Sequence, residues 1–556
     1  MRTLANHPGL FNCLDPCGRL RLPRIGALRP NLRLSSHLPS HGIIRSASRQ
    51  VNGDVVQELE DRGSIAQVTS RAIRQHLQDS RTVYLGIDPT AKSLHVGNLL
   101  PLVALLRFAL KGHHTIVLLG GATGSVGDPS GRDSERVALS SSTLESNLSS
   151  ISHQITRLIS SSLAHAVGLQ NADNHSSPSH CSPPAIKNNL EWTKDITLLD
   201  FLSSVGKKAR ISSMLARDSV KQRLESGTGI SFTEFTYQLL QAHDFSELHL
   251  RYDCSVQIGG SDQYGNIMSG IELITRAQTL SSSGQNYSNS GSLHVAYGLT
   301  TPLLTTAKGE KFGKSAGNAI WLDPELTPPV DLYQAFLSIP DSEVLKYLKL
   351  LTFVSLKEIM NLSVENIHRD KREAQKRLAQ EITLMIHGPD GLRKALLATK
   401  FLFPTINQSM EWGRCQLDDA FGNSPNRVML TFDKVLNQRI ENLAVASGLC
   451  KSKGEARTLL QNGAITLNHT TAYERQMVAE ADLVDSHYIL LMRGKTAYKL
   501  TSKVVRKTFQ ALSCPLCSRD AAVTEVSMYI RNQDFVQFTC KEEFVHHDDM
   551  LHISCR

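Results

Sequence analysis

From Thr82 to Ile87 the chain reads Thr-Val-Tyr-Leu-Gly-Ile, a short apolar run that breaks at Asp88-Pro89-Thr90 and passes into a helical pattern beginning near His95. A second apolar run, Thr115 to Leu119, enters the turn Gly120-Gly121-Ala122-Thr123-Gly124. A third, Ser255 to Ile258, ends in Gly259-Gly260-Ser261-Asp262-Gln263. Strand, turn, helix, strand is the opening of a parallel α/β sheet. Ligands of such sheets sit outside the carboxyl ends of the strands, and each of these runs delivers polar residues to that edge. The expectation is a Rossmann-like parallel-sheet α/β domain with its site in the turns after the strands.

At 556 residues the chain is too long for one ordinary domain. Residues 1–50 hold eight arginines, no lysine and a single acid, Asp15, so this segment carries +7 of the net charge of +8. An arginine-rich, nearly acid-free leader is the composition of a mitochondrial transit peptide, which implies a matrix protein. The remaining chain is close to neutral, so nucleic-acid contact must come from local basic patches. Residues 51–328 read as the α/β domain, with Ser/Asn-rich surface insertions near 160–184 and 280–292 and a possible extra helix within Asn52 to Leu77. Helical periodicity from Pro329 marks a second domain, 329–428, and a compact unit follows at 429–507. No stretch approaches the roughly 20 apolar residues of a membrane span.

Two segments carry the chemistry. Around His95-Val96-Gly97-Asn98, a His and an Asn three apart open a helix whose N-terminus already attracts phosphate; Gly97 lets a nucleotide approach, and Asn98 is read as a donor. In Lys308-Gly309-Glu310-Lys311-Phe312-Gly313-Lys314-Ser315, lysines gather on a glycine-containing loop, as suits neutralisation of a leaving polyphosphate. Either alone reads equally as a helix cap or a solvated loop. The glycines after Leu119 are not a P-loop, because no Gly-Lys-Ser/Thr follows them. Along the segment after Phe232, Tyr237, Gln241 and Asp244 fall at i, i+4 and i+7, which puts three polar groups on one helix face amid Phe, Leu and Ala.

Together the two segments resemble the paired HIGH-like and KMSKS-like signatures of class I aminoacyl-tRNA synthetases. The stretches Tyr84 to Asn98, Gly120 to Gly131, Phe232 to Phe245 and Ile258 to Ile267 are similar, in order and spacing, to the bacterial-type tyrosyl-tRNA synthetases. That resemblance implies activation of tyrosine with ATP and transfer of tyrosyl to tRNA(Tyr), by positioning and electrostatics. It assigns the ATP site to Gly86, Asp88, His95, Gly97, Asn98, Gly260, Asp262, Lys311, Lys314 and Ser315. Thr90, His95, Lys311 and Lys314 meet the developing phosphate charge. Tyr84 and Asp244 bond the phenol, Asp128, Tyr237 and Gln241 hold the ammonium, and Gln263 holds the carboxylate. Mg²⁺ enters with the nucleotide, and no tightly bound cofactor or protein metal site is expected. Asn98 departs from the commonest family pattern, as does Tyr264. A carboxylate at Asp244 suits a phenol better than the indole of a tryptophanyl enzyme.

Leu443 to Asn468 resembles the S4 RNA-binding domain, with Lys451, Lys453 and Arg457 on one short helix and its entry turn. Arg132 and Arg136 are weaker candidates for tRNA or pyrophosphate contact. The family implies a homodimer, and its mitochondrial members admit a second role in binding group I intron RNA. Residues 508–556 carry Cys514-Pro515-Leu516-Cys517, then Cys540, His546, His547 and Cys555, without the spacing of a standard zinc site, and their role is unknown.

Overall fold

The computed structural model describes residues 51–504 apart from 52, 131–138, 174–180, 226, 228, 282–294, 307–308, 310–311, 313–318, 369–371, 405–411, 423 and 495–496, together with the antiparallel strand pair Val526–Arg531 and Phe535–Cys540. The leader, the second insertion beyond residue 281, Lys311, Lys314, Ser315, Arg132, Arg136 and the cysteine pair Cys514/Cys517 therefore lie outside the described residues. The chain divides between Pro425 and Asn426 into two compact units.

The first unit is built on a six-stranded sheet: β1 (Gln67–Val68), β2 (Thr82–Ile87), β3 (His114–Leu119), β4 (Ala185–Asn188), β5 (Cys254–Gly260) and β6 (Tyr297–Thr301), in the order β1-β6-β5-β2-β3-β4. All pairs are parallel except β1 with β6. The chain runs outward through β2, β3 and β4, then returns to lay β5 on the other side of β2. That reversal opens a crevice between β2 and β5 at their carboxyl ends. Alternation along β2 sorts its side chains: Val83, Leu85 and Ile87 join the main core with the Val96–Leu110 helix, while Tyr84 packs on the opposite face with Phe245 and Ile267. Those partners belong to the helices Phe232–Tyr252 and Tyr264–Ser281, which cover that face.

One sequence expectation is corrected here. The Ser-rich stretch read as an insertion from residue 160 is helical through Asp173, in a helix starting at Ser141, and Ile155, Leu163 and Ala166 are buried. Its apolar stripe packs on the Glu373–Leu402 helix, where Ser161 Oγ bonds the Met385 carbonyl and His165 Nε2 meets Glu381 Oε2 at 2.6 Å. Residues 52–77 do form helix, at Val55–Asp61 and Ile73–His76. Val55, Val56 and Leu59 of the Val55–Asp61 helix lie in the main core, and Glu58 pairs with Arg107 and with Lys111.

The helices Pro329–Leu337, Asp341–Leu351, Leu356–His368 and Glu373–Leu402, the last kinked at Gly388, share this core through Leu332, Phe336, Tyr347 and Leu378. The expected boundary near 328 is therefore a change of architecture inside one core. In the second unit β7 (Arg427–Thr431), β8 (Ile465–Leu467), β9 (Thr470–Thr471), β10 (Tyr488–Arg493) and β11 (Ala497–Val504) form a sheet in the order β7-β11-β10-β8-β9. The helices Ile440–Ala446 and Lys453–Gln461 complete a separate core with Ile489 and Leu491.

Candidate active site

Tyr84 on β2 and Gln257 on β5 are register partners, so their side chains stand side by side at the reversal point. Both are buried, and the Tyr84 hydroxyl and Gln257 Oε1 find no hydrogen-bond partner among the described residues. Buried polar atoms without partners cost about 1–3 kcal/mol each, and these two lie at the strand reversal, where a bound ligand can supply the partner. Gly86, two residues along the same strand face, is exposed and faces open space.

Asp244 is 4% exposed. Its Oδ1 accepts from Trp192 Nε1 at 2.8 Å and its Oδ2 from Asn189 Nδ2 at 2.9 Å. Burial pushes its carboxyl up to about 7 against these two donors, and its charge joins burial in raising the Tyr84 phenol well above its ordinary range. Asn189 also accepts from the Ala122 N–H at 2.7 Å and donates to Thr123 Oγ1 at 3.1 Å. The turn after β3 is thereby tied to Asp244 through one amide. A cavity of about 430 Å³ borders this network, with Thr123, Leu144, Leu240 and Asp244 among its walls. It includes neither Tyr84 nor Asp128 and so adjoins the cleft without being it.

A second cluster lies at the strand ends. Asp128 Oδ2 accepts from Gln263 Nε2 at 2.6 Å and its Oδ1 from the Ser130 N–H at 2.9 Å. Asn266 Nδ2 bonds Gln241 Oε1 at 3.0 Å and reaches Gln263 Oε1 at 3.3 Å. Tyr237 donates to Asp88 Oδ2 at 2.7 Å, and Thr123 Oγ1 to Asp88 Oδ1 at 2.8 Å. The helical spacing of Tyr237, Gln241 and Asp244 does bring all three to the cleft. Asp88, assigned to ATP by resemblance, has both carboxylate oxygens engaged by protein hydroxyls and acts here as a brace for Tyr237. A Cβ on Gly120 would collide with Asp88 Oδ1, so the glycine after β3 is a packing requirement.

His95 is the N-cap residue of the Val96–Leu110 helix, with extended backbone, and pairs across to Trp321. Asn98 Oδ1 accepts from the His95 N–H at 3.0 Å, so this side chain caps the helix through its oxygen, and the donor role read from sequence falls to its Nδ2. Gly97 has a different reason as well: a Cβ there would sit 2.7 Å from the His95 ring. Thr90 and Asp262 are exposed at the ends of β2 and β5, and Gly260 lies beside Asp262. In the second unit Lys451, Lys453 and Arg457 are exposed, but Arg457 Nε lies 3.9 Å from both Glu441 and Glu474, which compete with phosphate for it. Sequence reasoning missed Asn189, Trp192, Gln257 and Asn266. Only Gln257, a polar residue inside the apolar run of β5, carried a signal.

A family model described as class I tRNA synthetases (W and Y) matches residues 76–403, and one for the tyrosine–tRNA ligase SYY-like C-terminal domain matches 417–501. The chain is 40% identical over 449 residues to a chloroplastic/mitochondrial tyrosine–tRNA ligase of Arabidopsis thaliana, covering 80% of this chain and 82% of that one. It is 43% identical over 378 residues to a mitochondrial tyrosine–tRNA ligase of Drosophila melanogaster, covering 67% and 78%. Among solved structures, a C-terminally truncated mitochondrial tyrosyl-tRNA synthetase of Aspergillus nidulans superposes with a TM-score of 0.55 at 36% identity, covering 63% of this chain and 95% of that one. With the sheet reversal, the cleft and both matched regions in agreement, the chain belongs to the class I tRNA synthetases of the tryptophanyl and tyrosyl family, and within them to the tyrosine–tRNA ligases.

Proposed function

We propose that the crevice between β2 and β5 activates tyrosine with ATP, forming tyrosyl-adenylate and pyrophosphate, and then passes tyrosyl to the 3′ end of mitochondrial tRNA(Tyr). The observation that carries this reading is the partnerless Tyr84 hydroxyl near a buried carboxylate, Asp244, held by two donors. A phenol entering there can accept from Tyr84 and donate to Asp244, whereas phenylalanine leaves both groups unpaired. Asp128 and Gln241, with Tyr237 braced by Asp88, then face the substrate ammonium, and Gln263 its carboxylate. The carboxylate is already a nucleophile, so the protein's task is alignment on the α-phosphorus and stabilisation of the leaving pyrophosphate.

ATP lies along Gly86, Gly97 and Gly260, its ribose at Asp262 and its phosphates toward Thr90, His95, Lys311 and Lys314, with Ser315 in support and Mg²⁺ carried on the nucleotide. Lys451 and Lys453 meet tRNA phosphates, and Arg457 joins them on exchanging its carboxylate partners. The protein works as a homodimer; Leu198, Leu199, Ile211 and Phe232, the last 77% exposed, are large apolar side chains left open to solvent, as a second copy would cover. The arginine-rich leader and the organelle enzymes among its relatives support a site of action in the mitochondrial matrix. ATP–pyrophosphate exchange on protein lacking the first 50 or so residues tests the activation step. Exchange with tyrosine but not tryptophan or phenylalanine, abolished by Asp244→Ala, is expected. Exchange that prefers tryptophan, or that survives Asp244→Ala, would refute it.

A further inference from the structure

The turn that follows β2 carries Thr90 and His95 with no regular secondary structure between them, so something else must hold its backbone. The holder is one buried amide on the Ser141–Asp173 helix. Gln154 Oε1 accepts from the Leu94 N–H at 3.1 Å and lies 3.1 Å from Ser93 Oγ, whose one proton it shares with the Leu94 carbonyl at 2.7 Å. Its Nε2 donates to the Lys92 carbonyl at 3.0 Å and to Asp323 Oδ2 at 3.1 Å. Both ends of the amide are therefore used, in an orientation only one assignment of O and N satisfies. Seven residues earlier on the same helix, buried Asn147 donates Nδ2 to the Pro89 carbonyl at 3.0 Å.

Asp323 makes this more than local packing. It follows the stretch that returns from the lysine loop, where Val96 N–H bonds the Ile320 carbonyl and Leu322 N–H the Leu94 carbonyl. Asp323 N–H also donates to Ser93 Oγ, and its Oδ1 accepts from the Glu325 N–H. Gln154 is thus the junction where the histidine turn and the return of the lysine loop are fixed to each other.

We propose that Gln154 is a positioning residue for adenylate formation, setting the backbone that presents Thr90 and His95 to the ATP phosphates, with Asn147 as a second tie. The inference rests on the activation reading given above. It acts through His95, so it predicts a particular pattern of kinetics. Misplacing transition-state groups by about an ångström costs on the order of 10- to 100-fold in rate, while the tyrosine pocket beyond Tyr84 and Asp244 is left as it was.

The experiment is tyrosine-dependent ATP–pyrophosphate exchange by the full chain and by Gln154→Met, which keeps the length of the side chain and removes every hydrogen bond of the amide. Exchange kcat is expected to fall about 10- to 100-fold, with the tyrosine KM changed by less than about twofold. In a background lacking both presented groups, Thr90→Ala with His95→Ala, the same substitution is expected to cost less than about threefold further, because its targets are already gone. Equal losses in both backgrounds, or an unchanged kcat in the single variant, would overturn the positioning role while leaving the activation reading intact. No exchange from the unaltered chain would overturn both. Should Gln154→Met not fold, Gln154→Glu carries the test: it sets a second carboxylate against Asp323 and is expected to lose activity that Asp323→Asn restores in part, by about threefold or more. Failure of that pair to show any restoration would count against the junction.

Discussion

Trp192→Phe isolates one hydrogen bond at the proposed specificity pocket. Phenylalanine keeps an aromatic face under the Arg251 guanidinium, which lies 5.5 Å from the Trp192 ring centroid, but it removes the Nε1 donor to Asp244 Oδ1. A hydrogen bond to an ionised group contributes about 1.5–3 kcal/mol, equivalent at 1.36 kcal/mol per pH unit to a rise of roughly 1–2 units in the Asp244 carboxyl. Starting from about 7, the variant's carboxyl ionises near pH 8–9. The phenol of tyrosine requires the ionised form as its acceptor. At pH 7.5 about three-quarters of the unaltered protein is ionised, against roughly 3–25% of the variant, so kcat/KM for tyrosine falls about 3- to 25-fold. At pH 9.5 the two converge to within about twofold.

The assay is tyrosine-dependent pyrophosphate exchange as a profile of kcat/KM against pH, with ATP saturating. A loss equal at every pH, or a profile that does not move, would refute the idea that Trp192 tunes the ionisation of Asp244. Stability has its own sign. Because burial raises the folded pKa of Asp244 above the ordinary 3.8, the native state holds a proton the unfolded chain has already lost. This group therefore lowers stability progressively as pH rises from about 4 to about 7, with no further change above that. In Trp192→Phe the decline continues to about pH 8–9, which denaturant titrations at pH 6 and pH 9 would detect.

Gly120→Ala drives a Cβ into the Asp88 carboxylate and is expected to destabilise by about 1–3 kcal/mol and to abolish exchange, whereas Gly86→Ala meets nothing, folds normally by thermal melting, and weakens substrate binding alone. Ile155→Ala, at a fully buried position in the Ser-rich helix, is expected to cost about 2–4 kcal/mol in denaturant titration; a cost near zero would contradict the packing of that helix. Lys451→Ala combined with Lys453→Ala is expected to leave pyrophosphate exchange unchanged, lower tRNA charging, and reduce the salt slope of tRNA binding by about 1–2.

What could be read in advance follows from where each signal is stored. The strands β2, β3 and β5 are buried on both faces, so they appear as apolar runs, and the glycines and acids after them stand out by contrast. Tyr237, Gln241 and Asp244 were legible because a helix converts spacing into a face. Asn189 and Trp192 were not, since they follow β4, four residues of Ala-Ile-Lys-Asn whose pattern is no stronger than a loop's. The Ser141–Asp173 helix was misread from residue 160 onward for the reverse reason. Its core stripe at Ile151, Ile155, Leu158, Ile159 and Leu163 keeps helical spacing, but six serines lie from Ser149 to Ser162 along its text, and composition was weighed above period. Serine costs a helix only a few tenths of a kcal/mol per residue, far less than one buried isoleucine returns. Gln154 and Asn147 lie before that stretch and were given no role, because an amide among serines looks like surface until its partners are known. Residues of this kind, which bond backbone from a neighbouring element, leave no local pattern at all; the turn they hold is legible, and the reason it stays in place is not.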